Sequence, residues 1–430
     1  MQGLPAAPRY WVALSGGLDS SVLLEALARG RDSLPGELVA VHVNHGLQPS
    51  APDWQRHCEA LCARLKLPLT TKTVQVDAHP GEGLEAAARE RRYTVFREIL
   101  APGEMLLLAH HEDDQSETFL LQALRGAGVR GLAAMPAVAP FAAGTLVRPL
   151  LGYQRAELEA WAKQQGLKWV EDPSNRDTDY DRNYLRREVL PLVKRRWPAA
   201  GATVSRSARF AAEAEALLEE LAAEDGAHYR IGLTLPVKAI TELSSARSRN
   251  LLRHWLRQRG LPLPPAHKLD EILLQAQAGV DRNPCIGWAG AEVRRYRGRL
   301  HALEPLPEAP PEFHLHRGES RDLGPGLGSL ALKPAVGEGI RAELCGPRGL
   351  RVVFRSGGEE CRPTGYGHQR PLKKWLQELH VVPWLRGRLP LLYAEQELLA
   401  VAGLFACEPH AAAPGEAGLR VEWLEHPPLK

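Results

Sequence analysis

Ser15-Gly16-Gly17-Leu18-Asp19-Ser20-Ser21 lies between an apolar, strand-like run, Tyr10 to Leu14, and a helical pattern from Ser21 to Ala28. Adjacent glycines let the backbone close around an anion, hydroxyls and amide N–H groups donate to phosphate oxygens, and the dipole of the following helix adds attraction. The string is built for phosphate. It lacks the lysine of Gly-x-x-x-x-Gly-Lys-Ser/Thr and the spacing of Gly-x-Gly-x-x-Gly. A Gly-Gly turn with Asp or Ser capping a helix is the structural alternative. The strand before the string and the helix after it favour the phosphate loop.

Outward from this loop, strand-like and helical stretches alternate. Glu37 to Val43, Leu69 to Val76 and Met105 to Ala109 read as strands; Asp53 to Leu65, Leu84 to Leu100 and Asp113 to Leu124 read as helices. Such alternation predicts an α/β, Rossmann-like domain with a parallel sheet, whose ligands sit at the carboxyl ends of the strands. We bound this domain at residues 1–210. Helical stretches follow at Arg155 to Gln165, Asn183 to Arg196 and Ser205 to Leu221, then a mostly helical middle domain over 226–303 with strand-like alternation near Glu292 to Ala302. The prolines of Glu304 to Pro311 predict a stiff extended linker, 304–311, rather than packed structure. A smaller α+β C-terminal domain over 312–430 carries one helix, Pro371 to Leu379.

Composition excludes several classes. The 430 residues are 44% hydrophobic and 24% charged, which is ordinary for globular chains and unlike disordered or fibrous ones. No apolar run approaches the roughly 20 residues of a membrane span, and the N-terminus does not resemble a signal peptide; a cytoplasmic protein without a membrane partner is expected. None of the six cysteines forms Cys-x-x-Cys, so neither a zinc ribbon nor an iron–sulfur site is spelled out. The formal net charge of +3 says little, but Asp181 to Arg209 holds eight basic against two acidic residues, and Arg355 to Arg388 seven against three. Two such stretches point to a polyanion. Trp375 and Trp384 within the second suit either base stacking or ordinary core packing.

A second signature is Ala109-His110-His111-Glu112-Asp113-Asp114-Gln115-Ser116-Glu117-Thr118. On a helix, His110, Asp114 and Glu117 at i, i+4 and i+7 share one face. One imidazole and two carboxylates can bind a metal, accept a proton or hold an ammonium. An acidic cluster that merely suits the helix dipole is the bland reading.

The loop string resembles the PP-loop ATP pyrophosphatases, whose fingerprint is Ser-Gly-Gly-x-Asp-Ser after the first strand of a nucleotide-binding domain. Further strings follow in order: Val41-His42-Val43-Asn44-His45-Gly46-Leu47, Glu85-Ala-Ala-Ala-Arg89, the His-His-x-Asp-Asp-Gln run, Arg148-Pro-Leu-Leu151, Glu171-Asp172-Pro173-Ser174-Asn175 and Arg182-Asn183-Tyr184-Leu185-Arg186. Over about 190 residues they resemble the tRNA(Ile)-lysidine synthetase family. Arg355 to Arg362, Leu372-Lys-Lys374 and Pro383-Trp-Leu-Arg386 are similar to that family's C-terminal domain. Gln48 departs from the pattern, since many members carry Arg there.

The resemblance implies an RNA reaction. ATP adenylates O2 of the wobble cytidine in the CAU anticodon of tRNA(Ile), pyrophosphate leaves, and the ε-amine of free L-lysine displaces AMP at C2, shifting decoding from AUG to AUA. It implies nucleotide contacts from Ser15, Gly16, Gly17, Asp19, Ser20, Ser21, His42 and Arg89. It implies chemistry from Asp19, His110, Asp114, Glu117 and Arg182. At pH 7 only about 4 in 10,000 lysine side chains are neutral, a handicap of roughly 4.6 kcal/mol, so a group must hold the ammonium and take its proton. Asp114 and Glu117 suit the first task, His110 or Asp114 the second, while Arg182 and Arg89 suit charge on the α-phosphate. Mg2+ is expected on the triphosphate, with ligands the sequence does not fix. The rival expectation is a tRNA thiolating enzyme of the same superfamily. Monomer and homodimer remain open.

Overall fold

A computed structural model of the chain describes residues 4–46, 50–76, 84–277 and 284–429; Gln48 lies outside them. Alternation along the first strand creates two apolar layers. β1 (Arg9–Ala13) sends Tyr10 and Val12 into a core shared with Val22, Leu23 and Leu107, and Trp11 into a second core with Val39, Phe96 and Leu106. Strand side chains point alternately to opposite faces, so both faces of this sheet are covered.

The chain then runs through α1 (Leu18–Arg29), β2 (Glu37–Asn44), α2 (Ala51–Leu65), β3 (Leu69–Thr73), α3 (Leu84–Ile99), β4 (Met105–Leu107), α4 (Glu112–Leu124) and the short α5 (Val129–Leu132). A hairpin of β5 (Val138–Phe141) and β6 (Gly144–Val147) completes the sheet, in the order β3-β2-β1-β4-β6-β5. Every pairing is parallel except β5 with β6. The expected α/β, Rossmann-like fold is present. The hairpin was not anticipated, because β5 is a four-residue strand, half exposed and interrupted by Pro140. Strand order reverses at β1, which lies between β2 and β4, and a crevice at the carboxyl ends of β1 and β4 is where such sheets take ligands.

Next come α6 (Arg155–Gln164), α7 (Asp181–Tyr184), a π turn over Leu185–Val189, α8 (Leu190–Arg196) and the 29-residue α9 (Ala200–His228). The sequence suggests one regular helix from Asn183 to Arg196; instead the π turn widens its middle, a deviation frequent at functional sites.

The chain divides into two compact units, Met1–Leu218 and Glu219–Lys430. In the second, β7 (Thr234–Pro236), α10 (Val237–Glu242), α11 (Ser245–Gln258), α12 (Ala266–Ala276), β8 (Cys285–Trp288), β9 (Ala291–Tyr296) and β10 (Arg299–Leu303) pack around Leu251, Trp255, Ile272 and Leu300. Helices predominate, but a four-stranded sheet, β7-β10-β9-β8, accompanies them. Beyond it lie β11 (Phe313–Leu315), β12 (Ser320–Asp322), β13 (Ser329–Val336), β14 (Ile340–Arg341), β15 (Leu350–Phe354), β16 (Glu360–Cys361), β17 (Arg370–Pro371), α13 (Leu372–Glu378), β18 (Pro390–Ala394), β19 (Glu397–Val401), β20 (Phe405–Ala406) and β21 (Ala417–Leu424). They form a five-stranded sheet, β11-β15-β18-β19-β20, a four-stranded sheet, β12-β13-β21-β14, and a two-stranded ribbon of β16 and β17, around one shared core.

One expectation needs correction, and one pair of alternatives is decided. The proline-rich stretch is extended but packed: the Arg388 guanidinium donates to the carbonyls of Pro307 (2.7 Å) and Leu306 (3.2 Å), and Leu306 lies against the C-terminal core. Trp375 and Trp384 belong to that core, 1% and 9% exposed, and the Trp375 indole N–H donates to the Cys361 carbonyl at 3.0 Å. Buried rings cannot stack on bases; the residues that α13 exposes are Lys373, Lys374, Gln377 and Glu378. Among the described residues no helix is long and apolar enough to cross a membrane. Replacing Trp375→Ala is expected to cost about 3–5 kcal/mol by loss of packing, whereas Lys373→Ala with Lys374→Ala leaves the urea midpoint nearly unchanged. Equal stability losses for the two variants would contradict this division of labour.

Candidate active site

The loop after β1 is shaped by its own hydroxyls. Ser20 Oγ donates to the Gly17 carbonyl (3.1 Å), accepts from the Ser15 N–H (3.2 Å) and lies 3.0 Å from Ser15 Oγ. Gly16 adopts φ +86°, and its carbonyl accepts from the Val170 N–H at 2.9 Å. A Cβ there would stand 3.2 Å from both Cys58 Sγ and Val170 Cγ2. Gly17 caps α1 without a side-chain bond, leaving first-turn amides directed at the crevice for an anion. Ser21 Oγ and Asp19 Oδ1 are buried without hydrogen-bond partners.

His42 reaches this loop from the neighbouring strand: Nδ1 donates to the Leu14 carbonyl at 2.8 Å. A carbonyl can only accept, so the proton resides on Nδ1. Burial pushes this imidazole below its ordinary pKa. Cys58 and Cys62 are buried on α2, and burial pushes their thiols up to about 12 and about 11.

Across the crevice, helix α4 begins at Glu112, so His110 precedes the helix and the anticipated three-residue helical face is reduced to Asp114 and Glu117. The reason is a cap. His111 Nδ1 accepts from the Asp114 N–H (3.4 Å) while Asp114 Oδ2 accepts from the His111 N–H (3.0 Å), a reciprocal capping box. Histidine is an unusual cap, which is why the sequence reading passed over His111. Its Nε2 lies 3.3 Å from Asp114 Oδ2 and 3.7 Å from Asp19 Oδ2, so one ring joins the loop of β1 to the helix after β4.

The two carboxylates of α4 are covered by arginines. Arg182 donates to Glu117 Oε2 through Nε (2.8 Å) and to Asp114 Oδ1 through Nη2 (3.1 Å). Arg186 donates to Glu117 Oε1 (2.6 Å), Glu117 Oε2 (2.9 Å) and Asp114 Oδ1 (3.0 Å). Glu117 is fully buried. Burial alone would raise the pKa of Asp114, but the neighbouring His111 and Arg182 outweigh it and hold this carboxyl below the usual range. Asp19 behaves oppositely: burial dominates and raises it. Arg186, which the motif contains without an assigned role, sits in the π turn beside Arg182. Asp113 is structural, bonded to Lys194 and to the Arg155 N–H.

Arg89 donates to the Tyr93 hydroxyl (3.2 Å), with its guanidinium 4.9 Å from that ring's centre. Arg148, directly after β6, donates to the Pro136 carbonyl (2.6 Å). Burial first, and then the charges of Arg148, Arg182 and Arg89 against the opposing pull of Asp114, push His110 down to about 3. At neutral pH it is an uncharged imidazole whose buried Nδ1 lacks a partner. The structure thus gathers Asp19, His110, Asp114, Glu117 and Arg182, with Arg89 within electrostatic reach, and adds His111, Arg148 and Arg186.

Residues 4–193 match the family model of the PP-loop domain, residues 235–301 that of the TilS substrate binding domain, and residues 350–423 that of the TilS substrate C-terminal domain. The chain is similar to the tRNA(Ile)-lysidine synthase of Coxiella burnetii, 41% identical over 97% of this chain and 94% of that protein. It is also similar to those of Alkalilimnicola ehrlichii, 45% identical over 96% and 93%, and Escherichia coli O157:H7, 40% identical over 96% and 95%.

Two outcomes follow from this geometry. Gly16→Ala places a side chain at positive φ against Cys58 and Val170, and is expected to destabilise the fold by about 1–3 kcal/mol; an unchanged melting curve would contradict the loop conformation. An unfolded histidine titrates near 6.5, whereas His110 and His45 are pushed to about 3 and about 4. Below pH 6.5 the unfolded chain therefore binds protons that the folded one refuses, so stability declines from about pH 6.5 towards pH 4. Urea titrations across that range should show a shallower decline for His110→Gln, and an identical slope would remove His110 from this account.

Proposed function

The chain belongs to the tRNA(Ile)-lysidine synthase family, and from that premise we propose that it uses ATP to join free L-lysine to C2 of the wobble cytidine in the CAU anticodon of tRNA(Ile). The observation that carries the reading is the His111 bridge, which brings Asp19 of the phosphate loop and Asp114 of the acidic helix to one ring. Two half-reactions need such proximity: adenylation at the loop and amine attack at the carboxylates.

In the first half, amides of the loop and of the α1 terminus, with Ser15, Ser20 and Ser21, hold the phosphates. His42 braces the loop through Leu14. O2 of the cytosine attacks the α-phosphate, and pyrophosphate leaves. Arg182 and Arg89 offset the charge that develops there. Mg2+ fits this site: Asp19 Oδ1 is a buried, unpartnered carboxylate oxygen, and no group of three or more His, Cys, Asp or Glu able to hold a metal occurs among the described residues, so Asp19 would share the ion with phosphate oxygens. Bound there, it would neutralise the departing pyrophosphate.

In the second half, Asp114 and Glu117 hold the ammonium of lysine. His110 is neutral and its buried Nδ1 has no partner, so in the tautomer protonated on Nε2 it takes the proton, while Asp114 is already held in its anionic form by its neighbours. Burial is the main cause of the low pKa of His110, and a phosphate beside Arg89, Arg148 and Arg182 cancels part of the arginine contribution, which raises its basicity when it is needed. The amine bonds to C2 and AMP leaves. The basic stretches, including Lys373 and Lys374, supply contacts to the RNA backbone. Thiolation is disfavoured by the raised thiols of Cys58 and Cys62, since a thiolate is the reactive form.

The test is transfer of labelled lysine to an isoleucine tRNA transcript with a CAU anticodon, with a methionine tRNA as control. Transfer confined to the former is expected; ATP conversion to AMP without lysine transfer would reject the substrate. Asp114→Ala should lower transfer by about 100-fold or more, and Ser20→Ala should slow AMP formation. Full activity of either variant would remove that residue from the mechanism.

A further inference from the structure

The carboxylates assigned to lysine are not vacant. Glu117 receives three hydrogen bonds from Arg182 and Arg186, Asp114 Oδ1 receives two, and Asp114 Oδ2 is taken by the His111 N–H. An ammonium needs such acceptors and brings a positive charge. The four side chains already balance, two carboxylates against two guanidiniums. Lysine alone would leave a largely buried cluster with net positive charge, and a phosphate alone would leave it negative. Both together restore neutrality.

Resting on the lysine-transfer reading above, we propose that Arg182 is an exchange gate: it occupies the ammonium site of Asp114 and Glu117 until a nucleotide phosphate draws it away, so lysine binds productively only after the nucleotide. Arg182 is the arginine that moves because it makes two bonds to the carboxylates where Arg186 makes three. Arg186 stays and fixes the carboxylates in position. When Arg182 turns to the phosphate, it frees a share of Glu117 Oε2 and Asp114 Oδ1, two adjacent acceptors for a lysine ammonium. The gate keeps the amine away until there is an activated base for it to attack. It also makes binding reciprocal: whatever factor the nucleotide adds to lysine affinity, lysine adds to nucleotide affinity.

Calorimetric titration of L-lysine into the full chain, with Mg2+ and with or without an ATP analogue that cannot be cleaved between the α- and β-phosphates, tests the gate. Lysine affinity is expected to rise by about 10-fold or more with the analogue, and analogue affinity to rise equally with lysine. Arg182→Met should bind lysine without nucleotide about as tightly as the wild-type complex does, and the coupling should vanish. Equal lysine affinity in both states of the wild-type protein, or no binding in either, overturns the gate if lysine transfer to the tRNA is intact. Loss of transfer itself would instead overturn the reading on which the gate rests. The wild-type comparison decides the matter even if the variant does not fold.

Discussion

Asp114 and Glu117 lie beneath two arginines on the first turns of a helix that leaves the sheet beside the phosphate loop. Burying carboxylates is unfavourable unless each oxygen is paired, and removal of one partner from such a cluster typically costs about 3–5 kcal/mol. The surroundings satisfy that demand piece by piece. His111 caps the helix and fixes its first turn; the π turn brings Arg186 onto the same carboxylates as Arg182; and Asp113 ties the same turn to Lys194 and to the start of α6. The reversal of strand order at β1 sets the phosphate loop beside this cluster.

Because the cluster is electrically closed, it responds to any charge that enters. A phosphate weakens the arginine field that adds to burial in keeping His110 neutral, and it competes for a guanidinium. An ammonium competes for the carboxylates. Ligands of opposite charge therefore favour one another across the crevice, which suits a reaction in which an adenylated base is then attacked by an amine. The orphaned oxygen of Asp19 and hydroxyl of Ser21 show the same logic at the phosphate side: polar groups buried without partners await a ligand to satisfy them.

The parallel sheet and the phosphate loop were legible in the sequence because each obeys a local rule. Buried parallel strands are continuous apolar runs, and Gly16 sits at φ +86°, where a Cβ would be strained and crowded by Cys58 and Val170. Asp114 and Glu117 were legible as a pair, three apart on a helix. The position of His110 was not, because the helix starts two residues later under a histidine cap that composition does not advertise. Arg186 was quoted within its motif yet had no role, since a regular helix gives no cue to the π turn that aims it. The tryptophans of the second basic stretch show the limit of composition: charge density around Trp375 and Trp384 left stacking and core packing both open, and the fold places both in the core. The proline-rich stretch shows another limit, as Arg388, far away in sequence, converts an extended segment into a packed one.

The central claim is that one crevice, between β1 and β4, first activates the RNA and then admits the amine. Incubating the protein with α-phosphate-labelled ATP, Mg2+ and the isoleucine tRNA transcript in the absence of lysine tests it most directly. The account predicts that label becomes attached to the RNA and is discharged as AMP when lysine is added. Release of AMP without lysine, or RNA that never acquires label while lysine transfer proceeds, would contradict it.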